Sequence, residues 1–336
     1  MQKQDETNKK KSNSNSNSTS TSTKIIIGGV VIGIAGFCAY KYFSSKNKTD
    51  SLYNLYQGFE LKSSQEKYEI LKKMGDILTK ENDPKKLQQI CESETMNKFY
   101  KILIENISSF NISLQEIIID IFLIISKNAQ NLNMFIEKQF VDELVQLISE
   151  EKMEETESRI TEKTARIFGN IIKTTKEIKF ANYIQEKGGE KKLMRAFRNG
   201  NLQTKSSCAY CLTWFAELLP DVIQKSATIE FMESLFESLK EKEPENLTYS
   251  LSLINDCIKQ NNTNTMMIFK NGGIEKLMEL LSNENIQVQC NTSMILSSFI
   301  ENDPSFADIF CQKNRVIKII TENFFKRYNG QENNKR

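Results

Sequence analysis

The sequence predicts an all-α protein: a right-handed α-solenoid of about five to six three-helix repeats, preceded by a single N-terminal transmembrane helix. Three observations carry this reading. One uncharged apolar run lies near the N-terminus, one apolar phrase returns roughly every 42 residues, and no alternating strand pattern survives across the body. The composition agrees. Of 336 residues, 26% are charged and 39% hydrophobic, and only 13 Gly and 4 Pro interrupt them, which excludes collagen-like and wholly disordered chains. Histidine is absent, so no Ser–His–Asp triad, Cys–His dyad, histidine zinc site or histidine proton relay can form.

The N-terminal run comes first. Residues 25–40 hold sixteen residues without a charge; Lys41 interrupts, and Tyr42 and Phe43 extend the run to nineteen. At about 1.5 Å per residue this makes roughly 28 Å, one hydrocarbon core if Lys41 snorkels outward. Residues 1–24 are rich in Ser, Asn, Thr and Lys, far too long and polar for a signal-peptide n-region, so the expectation is an uncleaved anchor behind a disordered tail. Asp5, Glu6 and the lack of Arg argue against a matrix-targeting helix. Lysines lie on both sides of the span, which leaves its orientation open. A short glycine-rich span suits a thin, sterol-poor membrane. Gly29 and Gly33 form Gly-x-x-x-Gly, the spacing that lets two membrane helices approach; either the span self-associates into a homodimer or the glycines reflect ordinary membrane composition.

Charge is divided along the chain. Residues 1–48 carry eight Lys against Asp5 and Glu6, so the body is left mildly acidic under a formal net charge of +2. Such a body lacks the basic face that phosphate-backbone binding needs, and no nucleic-acid partner is expected.

The repeat emerges from one phrase. Gly272-Gly273-Ile274-Glu275-Lys276-Leu277 matches Gly188-Gly189-Glu190-Lys191-Lys192-Leu193, with weaker copies after Phe140 and Phe231 and at the ends near Phe99 and Val316. Its key positions are Leu103, Leu144, Leu193, Leu235, Leu277 and Ile319, separated by 41, 49, 42, 42 and 42 residues. The long interval contains the acidic stretch 150–157, which reads as a solvated inserted loop of seven residues. Asn199-Gly200-Asn201 and Asn283-Glu284-Asn285 stand 84 apart, as do Pro220 and Pro304. Each unit therefore reads as a short helix, a helix opened by Gly-Gly, and a longer third helix.

Units of this length with a Gly-Gly start to the second helix resemble armadillo repeats. Residues 208–219 (CAYCLTWFAELL) and 165–172 (ARIFGNII) are similar to that family's third helix. The resemblance covers residues 95–328, with 52–94 as a degenerate first repeat or helical cap, 44–51 as a linker and 329–336 as a disordered tail. An N-terminal anchor followed by armadillo units is laid out like the anchored armadillo proteins of the mitochondrial outer membrane. That layout implies a single-pass protein with its body in the cytosol; the endoplasmic reticulum is the second expectation.

The resemblance also implies where a partner binds. In peptide-binding armadillo proteins a recurring Asn on the third helix bonds the backbone of an extended peptide, with Trp nearby. The positions at matching phase here are Asn170, Thr213, Asn255 and Ser297, separated by 43, 42 and 42 residues. Either they contact a partner or they mark a solvated inner face. Trp214, the only tryptophan, either packs between repeats or offers an aromatic platform. The seven cysteines form no metal or redox pattern: Cys208 and Cys211 lack a second pair and fall within a helix. No cofactor is expected and no enzyme chemistry has residues behind it. The expected function is a non-catalytic, membrane-tethered scaffold that binds a protein partner through the concave groove. The alternative is an armadillo-type nucleotide-exchange factor for a seventy-kilodalton heat-shock chaperone.

Overall fold

The computed structural model describes residues 58–312 apart from Asn131. The anchor at 25–43 with Gly29 and Gly33, the linker at 44–51, the tails at 1–24 and 329–336, and the final phrase around Ile319 lie outside the described residues. The chain divides into two compact units, Met1–Phe59 and Glu60–Arg336, and the solenoid helices belong to the second.

Local signals set the helix starts. Asparagine side chains cap three long helices. Asn111 accepts from Leu114 N at 3.0 Å to start α4 (Ile112–Asn128), and Asn201 accepts from Thr204 N at 2.9 Å to start α9 (Leu202–Leu218). Asn285 accepts from Gln287 N at 2.9 Å and Val288 N at 3.2 Å to start α15 (Ile286–Asn302). Each satisfies backbone donors that a helix cannot pair internally. Proline does the same work by needing no donor, opening α2 (Pro84–Cys91), α10 (Pro220–Ser226) and α12 (Pro244–Ile258).

The Gly-Gly signature has two separate causes. Gly188 and Gly272 sit at φ +66° and +76°, in the left-handed region, where they turn the chain from a first helix into a second. Gly189 and Gly273 are glycine because there is no room for a side chain. A Cβ on Gly189 would lie 2.7 Å from Ile184 Cγ2, and one on Gly273 would meet the side chain and carbonyl of Ile268. The preceding helices are α7 (Ile178–Glu186) and α13 (Asn262–Lys270); the helices opened are α8 (Gly189–Asn199) and α14 (Gly273–Leu280).

Among the described residues these elements make five three-helix units, all helical and without strand. α1 (Ser64–Lys80) precedes them. The first unit is α2, α3 (Glu94–Asn106) and α4, so the first complete repeat begins at Pro84, inside the stretch that the sequence suggests is degenerate. The second has α5 (Lys138–Gln146) and α6 (Glu155–Thr175), its first helix reduced to a 3-10 turn at Asn133–Phe135. The third is α7–α9, the fourth α10 with α11 (Ile229–Ser238) and α12, the fifth α13–α15. α16 (Ser305–Gln312) packs after the fifth unit, against α15. The third helices α1, α4, α6, α9, α12 and α15 stack in that order.

Packing obeys the phrase. Leu103, Leu144, Leu193, Leu235 and Leu277 are all fully buried, each on the second helix of its unit. The shortened second unit is filled by rings. Phe135 from the 3-10 turn lies 4.8 Å from Phe140, 5.8 Å from Phe122 and 6.0 Å from Tyr100 between centroids. Rings of this size replace the apolar face of the missing helix.

The acidic stretch corrects an expectation. It is not a solvated loop throughout. Ile148 is buried, Ser149 N donates to Thr161 Oγ1 at 3.1 Å, and Asn199 Nδ2 donates to the Glu150 carbonyl at 2.6 Å. The Glu150 carboxylate pairs with Arg195 and, at 3.5 Å, with Lys192. Glu154 and Glu157 form a capping box, and Glu155–Glu157 are already the first turn of α6. The surplus residues therefore lengthen α6 and pin its entry to α8; Glu151, Lys152, Glu154 and Glu155 are open to solvent.

Candidate functional site

Among the stacked third helices, α6 carries a basic stripe. Arg159, Lys163, Arg166, Asn170 and Lys173 recur at helical spacing and so share a side of that helix. Neighbouring units supply the counter-charges. Arg159 Nε lies 2.7 Å from Glu116 and Lys163 Nζ 2.7 Å from Asp120, both acids on α4. The hydrogen bond from Arg159 holds the Glu116 carboxyl below the usual carboxylate range. At the end of α6, Lys176 Nζ pairs with Glu217 of α9 at 2.7 Å.

Arg166 spans three units. Its Nε donates to Ser207 Oγ of α9 at 3.2 Å and its Nη1 reaches Glu245 of α12 at 3.2 Å. Its guanidinium sits 4.8 Å from the Tyr210 ring centroid and 5.8 Å from that of Tyr249, themselves edge-to-face at 5.1 Å. Burial pushes the Tyr210 phenol up to about 12, so it acts only as a neutral hydroxyl. Gly169 makes this arrangement possible, since a Cβ there would strike the Tyr210 ring at 2.5 Å.

The sequence-derived residues divide into two kinds. Asn170 and Asn255 are tied to neighbouring helices. Asn170 Nδ2 donates to Ser126 Oγ at 2.9 Å while its Oδ1 accepts from the Tyr210 hydroxyl at 3.0 Å, so the amide joins α4, α6 and α9. It is not the free, solvent-facing amide that its position suggests, because Ser126 and Tyr210 flank it within reach. Asn255 Oδ1 accepts from Ser298 at 2.9 Å, which leaves its Nδ2 without a partner among the described residues. Ser297 is exposed and donates to Glu301 Oε1 at 3.3 Å.

Thr213 and Trp214 are half-buried and carry unmet polar atoms. Thr213 Oγ1 has no hydrogen-bond partner, and the indole N–H faces the Tyr210 hydroxyl without reaching hydrogen-bond geometry. The Trp214 ring packs under two cations, Lys176 Nζ at 4.3 Å and Lys173 Nζ at 5.3 Å from its centroid. It is partly packed and partly presented, between the two alternatives that its sequence position allows.

Several residues of this face carry no signature in the repeat phrase: Arg166, Tyr210, Tyr249, Lys173 and Asp256. The basic stripe on α6 was visible at its i, i+4, i+7 spacing. Asp256 carries no such mark, although it lies 42 residues after Trp214. It makes no hydrogen bond or ion pair among the described residues, and burial pushes its carboxyl up to about 7. Elsewhere Cys208, Cys211 and Cys257 are fully buried with thiols raised by desolvation, and no metal-ligating cluster occurs among the described residues. No helix among them is long and apolar enough to cross a membrane.

No known family profile matches the chain, and no curated protein matches it in sequence. Solved structures do. A designed armadillo repeat protein in complex with the peptide (KR)4 superposes with a TM-score of 0.57 at 16% identity, over 74% of this chain and 99% of that one. Computationally designed armadillo repeat proteins for modular peptide recognition give 0.56 at 16% identity, over the same 74% and 99%. A further engineered protein gives 0.58 at 17% identity, over 76% and 98%. With identities this low the likeness is one of fold, and the fold is an armadillo-type α-solenoid.

Proposed function

We propose that this protein is a non-catalytic scaffold whose third-helix face, concave in a solenoid of this type, binds an extended segment of a protein partner. The observation that carries the reading is the half-buried Trp214 ring on α9, followed on the next third helix by the Asn255 amide, whose Nδ2 has no partner among the described residues. The Thr213 hydroxyl and the Trp214 indole N–H are themselves buried, so the groups a guest can reach are the ring and that amide. A peptide backbone carbonyl can accept from the amide while a neighbouring side chain packs on the ring. The solved likenesses include designed proteins made for peptide recognition, which fits the same use of this face.

A finer reading adds a tether. Residues 25–43 anchor the scaffold as a single-pass protein, with the mitochondrial outer membrane and a cytosolic body favoured over the endoplasmic reticulum. Alkaline carbonate should leave the full chain in the membrane pellet and release a chain lacking 25–43; release of both would overturn the tether. Binding is tested by a photo-crosslinking residue at Thr213 in cells, compared with one at exposed Lys240 on the α11–α12 connection. A partner captured from position 213 only, and lost on Trp214→Ala, is the expected result. Equal capture from both positions, unaffected by Trp214→Ala, would reject the groove.

A further inference from the structure

We infer that the third-helix face holds a bipolar seat, cationic at Lys173, aromatic at Trp214 and acidic at Asp256, for a segment of a protein partner whose acidic and basic side chains stand about three to five residues apart. The inference rests on the groove reading and names the chemistry of its guest.

Most charges on the face are already answered. Arg159 and Lys163 are engaged by Glu116 and Asp120, Arg166 by Glu245, and Lys176 by Glu217. Lys173 is exposed on the same stripe and meets no carboxylate among the described residues; its contact is the Trp214 ring. Asp256 is the complementary case, a half-buried acid with neither hydrogen bond nor ion pair. The charged groups acting on it are Lys259 of its own helix and Glu217 of α9.

Lys173 and Asp256 are ordered along the stack. Lys173 lies on α6, Trp214 on α9 and Asp256 on α12, and Trp214 and Asp256 occupy the same position of successive units. The Lys173 ammonium reaches the α9 ring, 5.3 Å from its centroid, and packed helices lie about 8–10 Å apart, so the two charges stand roughly 10–15 Å apart. An extended chain rises about 3.3 Å per residue and crosses that distance in about three to five residues. Between the charged ends, Asn255 Nδ2 remains available to the segment's backbone. A guest ammonium or guanidinium at Asp256 would restore its carboxylate, because an opposite charge within about 4–6 Å favours the ionised form. Basic-end binding should therefore strengthen as pH rises through about 7.

The test is selection from a displayed library of random peptides of about ten residues, using the full chain in nonionic detergent. The expected winners carry Asp or Glu and Lys or Arg about three to five positions apart, in one polarity. Lys173→Glu should exchange the acidic preference for a basic one. Asp256→Asn should weaken a synthetic winning peptide about tenfold near pH 8 and by a smaller factor near pH 5.5, where Asp256 is already protonated. Circular dichroism confirms that each variant is folded. Winners without the charge pair, winners identical for wild type and both charge variants, or no winners at all would overturn the bipolar seat. If binding falls on Trp214→Ala while both charge variants bind normally, the seat is wrong and the groove reading survives. If Trp214→Ala also binds normally, the groove reading falls with it.

Discussion

Asp256 shows how one residue can be suited to binding at the expense of the free protein. Its carboxyl is raised from 3.8 to about 7 by burial, so folding favours the protonated form. Linkage gives the sign. Below the unfolded value both states are protonated and nothing is lost; as pH climbs through about 7 the folded protein progressively loses stability relative to the unfolded chain. Asp256→Asn should therefore stabilise the protein by on the order of 2 kcal/mol near pH 8 and leave it unchanged near pH 3.5, as read from urea midpoints at the two pH values. Asn170 is the opposite case. Removing its amide takes the acceptor from the hydroxyl of Tyr210, a residue 5% exposed, while Ser126 keeps its bond to the Leu123 carbonyl, so Asn170→Ala should cost about 1–3 kcal/mol. A loss within a few tenths would mean that water replaces both hydrogen bonds. Nothing in the sequence distinguished Asn170 from Asn255 in this respect. The difference comes from Tyr210, whose hydroxyl reaches back one unit, and Tyr210 has no counterpart at Ser252 or Met294.

At the scale of elements, the Gly-Gly phrase and the asparagine punctuation were legible because each answers a local backbone need. Gly272 must be left-handed, whereas Gly273 must be small, so the two should respond differently to alanine. Gly273→Ala forces a methyl group into Ile268 and should cost about 1–3 kcal/mol, while Gly272→Ala meets open space and loses only about 1–2 kcal/mol through its backbone angle. Thermal melts of the two variants measure this difference. The acidic insertion was legible as an interruption but misread as to its place. Charge composition alone marks a segment as polar; it does not reveal that Glu150 is answered by Lys192 and Arg195 on another helix. Excising residues 150–156 removes those pairs and half of the α6 capping box, and should lower stability by at least about 2 kcal/mol in a urea titration. Replacing Glu151-Lys152 by Gly-Ser should change it by less than about 0.5 kcal/mol.

For the whole molecule, the solenoid was readable because stacking repeats obliges the same apolar positions to recur, and five of the key leucines are fully buried as that logic requires. The proposed binding face was less readable. It is assembled from single residues of different units, and its ion pairs join positions some 41 to 79 residues apart, a separation at which no short motif can speak. The column at Asn170, Thr213, Asn255 and Ser297 could be found in advance, since it shares the period of the core, and the basic stripe on α6 is marked by its helical spacing. The seams between third helices also bear on how such a chain can change over generations. Asn291 Nδ2 donates to the Thr248 carbonyl, Asn302 Nδ2 to that of Ile258, and Asn170 takes Ser126 on one side and Tyr210 on the other. If recombination removed residues 202–243, α12 would become the neighbour of α6 and bring Ser252 to the Tyr210 position, too short to reach the Asn170 amide. The units are thus spelled in a fixed order, and a lineage built this way would be expected to gain or lose repeats at its ends more readily than in its middle.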